Sequence, residues 1–309
     1  MQSIYAYQQE GSGNVASGEK QLFQSLDKLY ELYISMLSFL VEIQDFAKIR
    51  IEENRQKYLP TEEDLNPNLR FVENKLLAQI ASNRDYQRLF STFKINWGEE
   101  EEMIRKFYNQ LRANEEFITY MKKDSVNYID EKYVVQKVLF NSVAESHLLR
   151  GYFEEKNIFW TEDFDVALMM VDKTLQQYKE NNNEFTPLPK LFKHDNILGD
   201  NEDVDFVKIL YRKTLIRSTE LNTVISERAA NWELDRIAMM DIIILKMAIT
   251  ELLEFPSIPI KVTLNEYIEL AKEYSSAKSK VFINGVLDKL ITDYKQQGLI
   301  YKSGRGLME

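Results

Sequence analysis

The residues best placed to do chemistry lie near the C-terminal end: Lys278, Lys280, Phe282 and Asn284, in the run KSKVFINGVLDKL. Lysines at the start of a helical pattern oppose the helix dipole, so folding gains nothing from them there. Backbone amides at such a start point outward and can take a phosphate. The chemistry this cluster supports is binding: lysines against a phosphate backbone, with Phe282 as a stacking or packing platform. The same two lysines also read as solvated side chains on a loop, and both readings stay open. Gly285 sits inside the helical pattern, where glycine costs about 1 kcal/mol relative to alanine. That cost predicts the close approach of another backbone.

Catalytic constellations are missing. With no cysteine, the chain holds no disulfide, thiolate metal site or cysteine nucleophile. Its two histidines, His147 in a helical pattern and His194 in a polar loop, are too few and too scattered for a metal cluster or a triad. No phosphate-cradling loop, dinucleotide fingerprint or nucleophile elbow occurs. The run Glu99 to Glu102 suits the start of a helix and solubility. The chain therefore reads as a binding protein, with no catalytic residue, cofactor or metal.

The formal net charge is −10, which makes the whole chain a poor polyanion binder. The charge is uneven: 17 acidic and 15 basic residues from Asp200 onward, against 32 acidic and 24 basic before it. Any contact with RNA is expected on a local basic patch of the C-terminal part. Met1-Gln2-Ser3 opens the chain without a signal-peptide pattern. The longest apolar stretch, Ile237 to Ile249, is interrupted by Asp241 and Lys246 and is too short to cross a bilayer. A cytoplasmic protein without membrane contact is expected.

These residues must be positioned by helices. Gly and Pro cluster at breaks, and the segments between them repeat apolar residues at helical spacing with no sustained alternation, so the fold class is all-α. A short first helix ends at Gly11-Ser12-Gly13-Asn14. A long one runs from Glu19 to about Tyr58, with Thr61 and Asp64 positioned to cap the short turn that follows. Continuous helices are expected over Leu69–Phe90, Glu99–Lys122, Tyr128–Arg150 and Glu162–Glu180. A linker at 181–203, with Asn181-Asn182-Asn183, Pro187-Leu188-Pro189 and Gly199, marks a domain boundary. Beyond it come helices at Val204–Ala230, Leu234–Leu253, Lys261–Tyr274 and Ser279–Gln297, then a frayed tail after Gly298. The many aromatics of the first 160 residues fall at helical spacing, the pattern of packing, although stacking on single-stranded RNA also uses such rings.

In Leu234–Leu253 the charges Arg236, Asp241, Lys246 and Glu251 recur every five positions, so successive ones turn by about 140°. They form no single wet face, the pattern of a central helix surrounded by others. Each charge then needs a partner. Ion pairs to neighbouring helices are one reading, and a partner-binding role for Asp241 or Lys246 is the other.

Three blocks carry a family resemblance: ANWELDRIAMMDIIILKMAITELL, FPSIPIKVTLNEYIELAKEYS and KVFINGVLDKL. In this order they resemble the core of the NusB family of bacterial transcription antitermination factors, over about the last hundred residues. Gln2-x-x-Tyr5-x-Tyr7 is similar to the motif of the family's first helix. The resemblance implies a NusB-like two-bundle helical domain at 204–309, with a first-helix remnant at 1–10 and a large helical insertion at 11–180. It also implies binding of boxA-type single-stranded RNA of nascent ribosomal transcripts, together with ribosomal protein NusE, in an RNA polymerase antitermination complex. Tyr5, Tyr7, Lys278, Lys280, Phe282 and Asn284 are the RNA-binding candidates it suggests. The family's arginine-rich segment before the first-helix motif has no counterpart after Met1, so either the start is truncated or RNA affinity is weakened and relocated. A protein–protein adaptor that docks NusE or polymerase without RNA is the alternative expectation.

Overall fold

The computed structural model describes residues 1–11, 13–192, 202–229 and 237–307. Ser12, His194, Gly199 and the stretch from Ala230 to Arg236 lie outside the described residues, and with them the start of the expected Leu234–Leu253 helix. Among the described residues every regular element is helical, and the protein is all-α. The chain divides into two compact units: Ser25–Leu191, and Met1–Gln24 together with Phe192–Glu309.

Helix α1 (Gln2–Glu10) stops at Gly11, whose φ of 60° is the left-handed conformation that glycine adopts freely. Helix α2 (Val15–Arg55) gives its first turns to the unit of the termini and the rest to the other unit. Thr61 caps α3 (Glu62–Leu65) reciprocally: its hydroxyl accepts from the Asp64 N–H at 3.2 Å, and Asp64 accepts from the Thr61 N–H at 3.0 Å.

In the unit Ser25–Leu191 three stretches that periodicity marks as continuous helices are broken; in the other unit the expected Val204–Ala230 helix divides at Arg217. Leu69–Phe90 becomes a turn followed by α4 (Lys75–Ser82) and α5 (Arg84–Thr92). Glu99–Lys122 becomes α6 (Glu101–Ala113) and α7 (Glu115–Lys122). Tyr128–Arg150 becomes α8 (Tyr128–Tyr133), a π-helical segment (Val134–Leu139), α9 (Phe140–Ala144) and α10 (His147–Lys156). Short polar side chains cause these three breaks by offering the backbone a competing acceptor. Asn83 accepts from the Tyr86 N–H at 2.9 Å, Asn114 from the Glu116 N–H at 2.9 Å, and Ser146 from the Leu149 N–H at 3.2 Å. Helix α11 (Trp160–Gln177) completes this unit.

The aromatics of this unit form its core. Phe39 of α2 meets Trp97 and Phe107, each with ring centroids 5.0 Å apart, and Phe153 meets Trp160 at 5.6 Å. Trp97 and Tyr33 have their polar ends satisfied: Trp97 Nε1 donates to Ser38 Oγ at 2.9 Å, and the hydroxyls of Tyr33 and Thr174 lie 2.8 Å apart. The first half of the stretch read as a linker packs here too. Leu188 is buried, Asn83 Nδ2 donates to Thr186 O at 2.6 Å, and the Tyr30 hydroxyl donates to Pro189 O at 3.0 Å.

The unit of the termini contains α12 (Glu202–Ile216), α13 (Ser218–Arg228), α14 (Met239–Glu254), α15 (Ile260–Tyr274) and α16 (Ala277–Gln296). Helix α14 is its axis, packed by α1, α12, α13, α15 and α16. Ile243, Ile244, Leu245, Ala248, Ile249 and Leu252 have no exposed surface, as a helix apolar around most of its circumference requires. Residues 15–24, given by the sequence to the insertion, belong to this unit. A Cβ at Gly18 would lie 2.2 Å from Tyr211 Oη, so glycine is what lets α2 close on α12, and Glu19 pairs with Arg212 beside it.

The tail is docked rather than frayed. Lys302 Nζ donates to Phe255 O and the Ser303 N–H to Pro256 O, both at 3.0 Å, ahead of a 3₁₀ turn at Gly304–Leu307. Gly306 is buried so close to Pro256 that a Cβ there would stand 1.9 Å from its carbonyl oxygen.

Candidate nucleic-acid interface

Lys278 and Lys280 occupy the first turn of α16, both exposed and, among the described residues, without a carboxylate partner. Ser276 caps this turn, its hydroxyl accepting from the Ser279 N–H at 3.2 Å. Ser279 Oγ lies 2.9 Å from the hydroxyls of both Ser275 and Ser276, and the Ser275 hydroxyl in turn donates to the Asp241 carboxylate. Asp241 is only 4% exposed. A buried carboxylate of α14 thus fixes, through three serines, the turn that carries the lysines. Sequence reasoning missed these serines: the spacing Ser276-x-x-Ser279 is the local signal of the cap, whereas nothing local marks the anchor at Asp241.

The other expected site residues divide by burial. Asn284 is half-buried one turn beyond Lys280, its Nδ2 donating to Asp288 at 2.9 Å. Tyr5 is 40% exposed on α1, whereas Tyr7 turns inward and meets Tyr211 edge-on at 6.5 Å. Phe282 is 4% exposed and belongs to the core of its unit. The structure therefore corrects the expectation of a stacking platform there: Phe282, Val286 and Leu290 recur four apart and form one buried stripe. Among the described residues, no atom lies within 4 Å of a Cβ placed at Gly285, so none of them supplies the expected close backbone.

Asp241 and Lys246 are corrected as surface groups for a partner. Both are buried, and both are tied internally. Lys246 Nζ donates to Ser218 Oγ at 2.7 Å, and burial pushes its ammonium below the usual lysine range. Glu251, also buried, accepts from the Tyr267 hydroxyl at 2.9 Å, and burial raises its carboxyl above the usual range. The direct hydrogen-bond partner of each is a hydroxyl, which serves either sign by donating or accepting. Arg236, the first of the four recurring charges, lies outside the described residues.

Among the described residues no group of His, Asp and Glu could hold a metal ion, and no helix is long and apolar enough to cross a membrane. Fold and surface define an all-helical protein whose distinctive groups present a charged helix start.

Residues 166–292 match the model of the NusB family, and the C-terminal region of this chain is a NusB-family domain. The match begins inside α11, ahead of the boundary at 204 that the sequence suggests. Three relatives carry the name "Transcription antitermination protein NusB". That of Salinibacter ruber is 46% identical over 104 residues, covering 34% of this chain and 65% of the relative. That of Chloroherpeton thalassium is 37% identical over 115 residues, covering 37% and 54%. That of Clostridium kluyveri is 45% identical over 100 residues, covering 32% and 64%. The chain thus spans less than two thirds of the length of each. No solved structure matches it.

Proposed function

We propose that this protein is a transcription antitermination factor that binds boxA-type single-stranded RNA of nascent ribosomal transcripts together with ribosomal protein NusE, within an RNA polymerase antitermination complex. In this reading α1, the start of α2 and α12–α16 form the NusB-like domain, residues 25–191 are a helical insertion, and the protein acts in the cytoplasm without catalysis. The observation that carries it is the pair Lys278 and Lys280, exposed at the start of α16 and, among the described residues, without a carboxylate partner, inside the segment matching the NusB family. The relatives' names supply the activity. Phosphates bind where cations project beside outward-pointing amides, and the Asp241–Ser275–Ser279 chain holds that turn in place. Tyr5 is the exposed aromatic of the set.

A protein–protein adaptor that docks NusE or polymerase without RNA is the second reading. The burial of Phe282 and the net charge of −10 favour it. Fluorescence anisotropy of a labelled boxA-type RNA, titrated with this protein alone and with NusE, separates the two. The antitermination reading expects weak binding alone and a ternary complex with NusE. A NusE complex that leaves the RNA free supports the adaptor, and no NusE complex at micromolar concentration sinks the antitermination reading.

A further inference from the structure

The unit formed by residues 25–191 carries a groove of about 370 Å³ between the C-terminal part of α2, α3, α6 and α7. That volume lies within the range of pockets that hold a ligand or an anchoring side chain. Ile51, Phe71, Tyr108, Phe117 and Met121 line it, with Arg112 and Lys122 among the polar groups. One wall is pinned rather than frayed. Met121 O, at the end of α7, accepts from Asn68 Nδ2 at 2.7 Å and from Arg70 Nη1 at 2.8 Å, and the same guanidinium takes Tyr120 O at 2.7 Å.

The charge around the groove is selective. Arg50, Arg55 and Lys57 are each neutralised, by Glu53, Glu52 and Asp64. Arg112 and Lys122 have no carboxylate partner among the described residues, and the Arg112 guanidinium stands 5.9 Å from the Tyr108 ring centroid instead. Among the described residues, the cavity is therefore bordered by two cations without a carboxylate partner, Arg112 and Lys122, and by one carboxylate without a cation partner, Glu63, so the local balance is positive in a part of the chain that is acidic overall. The segment leading to Glu63, which also lines the groove, leaves Tyr58 97% and Leu59 81% exposed, and Leu65 beyond it 55%. Single exposed apolar side chains need no explanation, but a cluster beside an apolar groove marks an interaction surface.

We propose that this groove docks a protein segment bearing one large apolar side chain flanked by acidic residues, with the anchor in the cavity and the carboxylates on Arg112 and Lys122. A segment is favoured over a small anion because Tyr58, Leu59 and Leu65, within a few residues of the lining residue Glu63, are exposed apolar side chains outside the cavity lining. The proposal is independent of the RNA reading, since every residue it uses lies in the other unit.

Fluorescein-labelled nonapeptides test it on the full chain: a central Phe, Leu or Trp between runs of Asp and Glu, with lysine-flanked and serine-centred controls. The acid-flanked apolar peptides should bind at least about tenfold more tightly than either control, as paired charges and a buried anchor require. The double variant Arg112→Glu/Lys122→Glu, and separately the exposed lining change Ile118→Glu, should each lower that affinity by about tenfold or more with an unchanged thermal melt. Two results overturn the proposal: no acid-flanked peptide binding up to about 1 mM, or binding that survives both variants. Binding of octanoate without peptide binding would assign the groove to a small amphiphile and overturn it equally.

Discussion

Alanine at Gly285 and alanine at Gly18 add the same methyl to two helices and should have opposite effects. At Gly285, in α16, no atom of the described residues lies within 4 Å of the new Cβ. Helix propensity then decides, and the unit of the termini should gain about 0.5–1 kcal/mol. At Gly18, in α2, the same propensity gain is available, but the Cβ would stand 2.2 Å from Tyr211 Oη and 2.8 Å from Tyr7 Cδ2. Tyr211 is 3% exposed, so its ring has nowhere to swing. Overpacking of this kind costs about 1–3 kcal/mol, which outweighs the gain and leaves a net loss of up to about 2 kcal/mol. Native-state hydrogen exchange at the α14 amides from Ile244 to Ala248 reads the stability of this unit directly. Gly285→Ala should slow exchange about two- to fivefold, and Gly18→Ala should speed it. Faster exchange in Gly285→Ala, or slower exchange in Gly18→Ala, would refute the packing argument.

Leu245 has no exposed surface, so Leu245→Ala should cost about 2–5 kcal/mol in urea denaturation; a loss under about 0.5 kcal/mol would contradict a central α14. Burial raises the Glu251 carboxyl, so the folded state holds that proton to higher pH than the unfolded chain does. Its contribution is then full below the ordinary glutamate range and lost as pH rises through the raised value. Denaturation at pH 4 and pH 7 should show Glu251→Gln gaining on the wild type toward pH 7, and a constant difference would refute this. Gly306→Ala places a methyl against Pro256 O, so exchange of the Ser303 N–H should quicken while the α14 amides stay protected.

The helical class, the stop at Gly11, the Thr61 cap and the central helix could all be read from residue type and spacing, because each depends on neighbours a few positions away. The breaks at Asn83 and Asn114 could not. Asparagine ends a helix only where its competing bonds are rewarded, and Asn83 gains its reward from Thr186 O, about a hundred residues on. The docked tail was hidden for the same reason, since the need for glycine at 306 arises from Pro256. For Phe282 stacking and packing both stayed open beside its lysine neighbours, although its four-residue stripe with Val286 and Leu290 marks it as core. The place of Lys278 and Lys280 at a helix start was legible, and it stands out because folding has no use for positive charge there. Asp241 and Lys246 were legible as charges on a central helix that need partners, but their partners were not, because hydroxyls leave no charge pattern to find.

The central claim rests on two lysines and a phosphate backbone. Its most direct test is the salt dependence of boxA-type RNA binding in the presence of NusE, compared between the wild type and Lys278→Ala/Lys280→Ala. Each phosphate neutralised on a single strand contributes about 0.7 to the slope of log affinity against log salt. The double variant should therefore bind more weakly at every RNA sequence, with a slope shallower by up to about 1.4. A double variant that keeps the wild-type affinity and slope would contradict the account.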